Sequence, residues 1–128
     1  MAAADTNVLV RLLVADHPAQ LRAAQRCIVE TGPLYVSQVA LVETIWVLAY
    51  TYRLARRDLA DVVEQILAGA DFVLERPAEV ATALVSFRSS RADFADCVLL
   101  ANAQAAGMLP LATFDRRLAK MPGTLRIT

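Results

Sequence analysis

Residues 34–52 read LYVSQVALVETIWVLAYTY, and this stretch decides the fold. Leu34-Tyr35-Val36 is a brief apolar run between Gly32-Pro33 and Ser37, which predicts a short buried strand. The Ser37 hydroxyl can accept from an amide near the start of a helix, so Ser37 is its expected cap. The residues beyond it are apolar most of the way round a helix predicted over 38–52. A strand that hands over so directly to a helix is the repeating unit of a parallel α/β sheet. Glu43 is the only charge in the whole stretch.

The alternation continues on both sides. Residues 1–5 (MAAAD) predict a first strand, although alanines are weak strand formers. A short helix is expected over 8–14, and Pro18 suits the first turn of a helix over 18–31 that Gly32-Pro33 ends. Beyond the central stretch, Asp58 is the expected cap of a helix over 59–69, and residues 71–74 (DFVL) predict a third strand. Pro77 opens a helix over 77–88, Ser89-Ser90-Arg91 forms a loop, and a helix over 94–106 stops at Gly107. Residues 109–114 predict the fourth strand, 116–120 a helical turn, and 125–127 a last short strand. The expectation is one domain over residues 1–128, a three-layer α/β/α fold with a central parallel sheet of four to five strands flanked by helices.

Composition is consistent with this and narrows the function. The 128 residues are 57% hydrophobic and 20% charged, which excludes a disordered chain and leaves room for a core and a buried interface. Basic and acidic residues balance at 13 each. Twelve of the basic residues are Arg, whose planar fork suits phosphate, so a nucleic-acid partner is permitted without being demanded. Cys27 and Cys97 have no metal-binding or disulfide spacing and are expected as free buried thiols in a reducing compartment. No basic-then-apolar leader is visible, and Asn102, Gln104, Gly107 and Pro110 interrupt the uncharged run 97–114, so a soluble, cytoplasmic protein is expected.

The chemistry lies in the acids. Asp5 is the only charge in residues 1–10, and Asp96 the only one between Phe94 and Phe114. With Glu43 they are expected to be driven inward, where a carboxylate is costly unless it is paired, hydrogen-bonded or bound to a metal. Asp115 follows the predicted fourth strand, and Asp93 precedes Asp96 by three residues, which puts both on one helix face. Oxygen-only donors favour Mg²⁺ or Mn²⁺. His17, the sole histidine, sits in a polar turn and rules out a His-rich zinc site.

Each acid also has a plainer reading. Asp5 and Asp93 can be helix caps, Asp115 can cap the turn that follows it, and Asp96 can favour a helix dipole. Glu43 could be a core residue paired to a distant Arg. Trp46 and Tyr50, one turn apart, are expected in core or dimer packing.

Asp5-Thr6-Asn7-Val8-Leu9-Val10, Val36-Ser37 followed by Glu43, Asp93-Phe94-Ala95-Asp96, and Thr113-Phe114-Asp115 occur in one order. That order and spacing resemble PIN-domain ribonucleases, in particular the VapC toxins of type II toxin–antitoxin pairs, over essentially the whole chain. The resemblance implies a Mg²⁺- or Mn²⁺-dependent endoribonuclease whose metal-site acids are Asp5, Glu43, Asp96 and Asp115, with Asp93 as an additional acid. It also implies that Asn7 and Thr113 help hold the carboxylates, and that the chain dimerises and is occluded by a VapB-like antitoxin. Arg116 and Arg117, beside Asp115, are the candidates for an RNA phosphate contact. Ala2-Ala3-Ala4 stands where family members carry bulkier β-branched residues, which bears on the packing of the first strand more than on Asp5.

Other classes fit less well. A receiver domain needs an Asp after its third strand, where Leu74-Glu75-Arg76-Pro77 stands, and a Lys after its last, which Lys120 precedes. An aspartate-nucleophile phosphatase needs Asp-x-Asp after the first strand, and Asn7 takes the second position. A degenerate, non-catalytic PIN-like module that binds RNA remains as the alternative.

Overall fold

In the computed structural model, which describes residues 1–128, the chain forms two units, Met1–Glu75 and Arg76–Thr128.

In the first unit, α1 (Thr6–Leu13) and α2 (Pro18–Thr31) precede β1 (Leu34–Val36) and α3 (Gln38–Tyr50), then α4 (Arg56–Ala68) and β2 (Phe72–Leu74). Pro18 occupies the first turn of α2, and Gly32 ends it at φ 86°, a left-handed value that favours glycine. β1 and β2 pair in parallel, Leu34 with Phe72 and Val36 with Leu74. The predicted first strand is reduced to a single parallel bridge between Ala3 and Tyr35, in which Ala4 N–H donates to the Tyr35 carbonyl at 2.9 Å. Alanine side chains bring too little packing surface to extend that ladder. Leu9, Leu41, Leu48, Val63 and Ile66 are buried, so α1, α3 and α4 each contribute an apolar face to the core.

The turn into α3 forms as expected. Ser37 Oγ accepts from Ala40 N–H at 3.1 Å, and Glu75 Oε1 accepts from Gln38 N–H at 2.8 Å, so two free amides of the first turn are satisfied. Replacing Ser37 with Ala is expected to cost about 1 kcal/mol, read as a lowered midpoint in urea at unchanged slope. By contrast, Asp58 does not cap α4; it lies inside the first turn, and Ala55 takes the cap position with no side-chain bond. There its charge meets the positive end of the helix dipole. The end of α1 is braced from just beyond the end of α3. Arg11 donates to Gln20 Oε1 at 2.6 Å, to Asp16 Oδ1 at 3.2 Å and to the Tyr52 hydroxyl at 3.3 Å, and Tyr52 donates to Asp16 Oδ2 at 2.8 Å.

The second unit runs α5 (Pro77–Ser89), α6 (Phe94–Ala105), β3 (Leu111–Thr113), a 3-10 turn (Leu118–Lys120) and β4 (Thr124–Arg126). The two helices pack through Val80, Ala83, Phe87, Cys97 and Ala101, all buried, and Phe87 meets Phe94 edge to face at 5.5 Å. A hydrogen bond from Asn102 Nδ2 to Glu79 Oε1 ties them further. α6 ends with Ala106 in cap position and Gly107 at φ 69°. β3 and β4 pair in parallel, Leu111 with Thr124 and Thr113 with Arg126.

Every pairing is parallel, as the alternation predicts. The expected sheet of four to five strands appears instead as two separate pairs, because each strand is three residues long and makes few ladder bonds. Trp46 and Tyr50 are not in the core: their rings lie 5.0 Å apart, tilted by 37°, and they are 59% and 61% exposed. Cys27 and Cys97 are free, but only Cys97 is buried. No helix is long and apolar enough to cross a membrane.

Candidate functional site

The lone acids were expected to be buried, and mostly they are not. Asp5, Glu43, Asp93 and Asp115 are exposed, and Asp96 is half-buried. The apolar neighbours in each stretch face inward while the acid takes an outward position, so the expectation of burial, which concerned Asp5, Glu43 and Asp96, fails for Asp5 and Glu43. A core Glu43 paired to an Arg is likewise excluded by its exposure.

In the first unit, Asp5 is the N-cap of α1. Its Oδ1 accepts from Val8 N–H at 2.9 Å, which leaves its second carboxylate oxygen outward. Asp5 and Asn7 stand on a cavity of about 340 Å³ walled by α1 and α2, whose lining includes Arg11, Gln20, Ala24 and Cys27. Glu43 lies on the outer face of α3, in a line with Val39, Trp46 and Tyr50 at helical spacing.

In the second unit, three acids act on one another. Asp96, in the first turn of α6, has its carboxyl held above the ordinary range, first by burial and then by the negative charges of Asp93 and Asp115. Asp93 takes the cap position of α6 by its extended backbone, yet its side chain makes no capping bond. The expected cap is therefore only positional, and its carboxylate is not engaged with the helix. Asp115 shows the opposite bias. The amide of Leu118 holds its carboxyl below the usual range, with the Arg117 amide and guanidinium adding to this against partial burial. Asp115 Oδ1 accepts from Arg117 N–H at 2.7 Å and Leu118 N–H at 2.9 Å, so it does cap the turn that follows. Thr113 Oγ1 accepts from Asp115 N–H at 2.9 Å and fixes the backbone from which that carboxylate projects. Arg116 and Arg117 are both exposed.

The acids differ in kind rather than forming a closed cage. No three His, Cys, Asp or Glu side chains stand close enough together to hold a metal ion. In chemistry the donors fit a hard divalent cation: all are carboxylates, and both charges acting on Asp96 are negative.

The PIN domain family matches residues 2–123, so the chain belongs to the PIN domain family, and its fold class is the three-layer α/β/α of that family. It is also similar to a VapC ribonuclease of Aquifex aeolicus (strain VF5), 27% identical over 88 residues, which are 69% of this chain and 65% of that protein. The match thus spans just under two thirds of that relative's length. No solved structure matches the chain.

Proposed function

We propose that residues 1–128 form a single PIN domain that acts as a Mg²⁺- or Mn²⁺-dependent endoribonuclease, the toxin of a type II toxin–antitoxin pair. The observation that carries this is the group Asp93, Asp96 and Asp115, in which Asp96 is raised first by burial and then by its acidic neighbours, and no basic side chain relieves it. Membership of the PIN family and the likeness to a VapC ribonuclease point the same way.

In the second unit Asp96 and Asp115 would be donors to the ion, with Asp93 as a further one, and in the first unit Asp5 and Glu43 are the acids that the family resemblance adds. Such an ion, when bound, lowers the pKa of a water and offsets charge on a phosphodiester. The chain's own part is to keep the donors ready. Asp115 stays ionised because amides donate to it, and Thr113 holds its backbone. Asp5 is fixed by its bond to the first turn of α1, with Asn7 beside it on the same cavity. Arg116 and Arg117 would meet the RNA backbone.

Two partners belong to this reading, a VapB-like antitoxin and a second copy of the chain. Val39, Trp46 and Tyr50 share the face of Glu43, so an antitoxin segment laid along that stripe would also cover the acid. A homodimer would then use another face. A second reading, a non-catalytic RNA-binding module, is favoured by the lack of a closed three-donor cluster.

Incubating single-stranded and stem-loop RNAs with the protein, with Mg²⁺ or with chelator, separates the two. Cleavage that needs the ion and is lost in Asp5→Asn supports the nuclease, because Asn keeps the α1 cap and removes the charge. RNA binding with no cleavage under any divalent ion favours the binding module.

A further inference from the structure

We propose that a cavity of about 280 Å³ lined by Ser89, Ser90, Arg91, Arg117, Lys120 and Met121 is a phosphate subsite, which receives a backbone phosphate of the RNA strand being cut. The proposal rests on the nuclease reading and adds to it a place for the substrate away from the reacting phosphodiester.

The lining carries three cations and no acid. Arg91, Arg117 and Lys120 are exposed; Asp115 offsets part of the Arg117 charge, while Arg91 and Lys120 bring like charges to the hollow that favour the entry of an anion. Arg supplies forked donors and Lys a point charge, the pairing suited to a phosphate's several oxygens. The two serines differ. Ser89 Oγ already donates to the Val85 carbonyl at 3.0 Å. Ser90 Oγ accepts from Ala92 N–H at 3.3 Å, which leaves its own O–H to donate.

The walls are held in place by the same residues that place the acids. Arg117 precedes and Lys120 ends a 3-10 turn anchored by buried Leu118 and capped by Asp115. Arg91 comes from the loop between α5 and α6, two residues before Asp93. Arg117 lies two residues after Asp115. Both walls are thus joined directly to the acidic group, and a strand that reaches one lies beside the other. Of the three cations in this lining, the sequence marks Arg117, together with Arg116 outside it, as a phosphate contact, whereas Arg91 and Lys120 carry no local pattern that marks them.

The test uses the full chain in chelator, so that RNA is bound but not cut. Binding of a labelled single-stranded RNA of about 12 nucleotides is followed by anisotropy across a series of salt concentrations. The double variant Arg91→Ala/Lys120→Ala is expected to bind about tenfold more weakly and to flatten the log–log salt slope by about 0.7 for each phosphate no longer neutralised. With Mg²⁺ restored, KM should rise by a similar factor while kcat is kept. Lys120→Gln alone, at an exposed position, should show a smaller loss in the same direction. Unchanged affinity and slope in both variants overturn the subsite. So does inorganic phosphate that protects the wild type but not the double variant from heat while RNA affinity is unchanged, since the cavity would then serve free phosphate. Wild-type cleavage with unaltered binding in the variants leaves the nuclease standing without the subsite. Weakened binding in the variants with no wild-type cleavage does the reverse.

Discussion

Asp96→Asn is expected to lower RNA cleavage at least about a thousandfold, about 4 kcal/mol of transition-state stabilisation, while the protein stays folded. Asn matches Asp in size and can keep its place in the first turn of α6, so lost packing does not explain the effect. What is removed is the charge, and here the charge is unfavourable to the protein alone. Burial, Asp93 and Asp115 all disfavour the ionised form of Asp96. The sign of the pH effect follows. A carboxyl raised in the folded state binds its proton more tightly there than in the unfolded chain. Its contribution is therefore full at low pH and is lost as pH rises from the ordinary carboxylate range through the raised value. Metal-free wild type should thus gain stability on mild acidification through this group, and Asp96→Asn should lack that gain while melting no lower than wild type near neutrality. Melting curves in chelator from acid to neutral pH, beside cleavage assays, measure both. A variant that retains cleavage, or one that melts well below wild type at neutral pH, would remove Asp96 from the centre of the reaction.

The position of Asp96 in the chain is legible in the sequence, whereas its surroundings are not. At most positions where a residue's local chemistry sets the outcome, the sequence reading and the structure agree. Pro18 starts α2, Gly32 ends it, Ser37 caps α3 and Gly107 follows α6, because cap and turn chemistry acts over three or four residues. The strand 34–36 and the parallel pairing followed from alternation, and the order of the acids pointed to the PIN family. Burial was the weak point. A lone acid in an apolar stretch looks buried in one dimension, yet a helix can turn one position outward while its neighbours pack, as Glu43 does between buried Leu41 and Thr44. Trp46 and Tyr50 stand outside the core for the same reason, which leaves packing against a second copy as the open half of that expectation. Asp58 looked like a cap because helix starts are ambiguous by a residue or two, and Arg56 had already begun the helix. The cavity of Arg91, Arg117 and Lys120 joins residues distant in sequence, and no local pattern could announce it.

Removing divalent cations is expected to have the second large effect, and it can be read without any substrate. An ion that binds the folded chain alone stabilises it by about 2.7 kcal/mol at a hundredfold excess over its dissociation constant, which for a domain of this size is a rise in Tm of about 10 °C. Mn²⁺ or Mg²⁺ added to metal-free protein should produce such a rise, and chelator should reverse it along with RNA cleavage. Ser37→Ala should melt lower yet keep the full shift, since it alters only the cap of α3. Asp96→Asn should lose most of it. The pH dependence identifies the group responsible. Ligand carboxylates must be ionised to bind, so affinity falls on acidification. Asp115, held low by the amides of Leu118 and Arg117, gives up its proton early as pH rises. Asp96, held high by burial and its neighbours, gives it up late, so the ion's stabilising effect should grow as Asp96 ionises. Bound, the ion offsets the repulsion that Asp93 and Asp115 exert on Asp96, and the acid-side gain in stability seen without metal should then reverse sign. A Tm indifferent to Mg²⁺ and Mn²⁺ at every pH, together with cleavage that persists in chelator, would show that these carboxylates serve the fold rather than a metal.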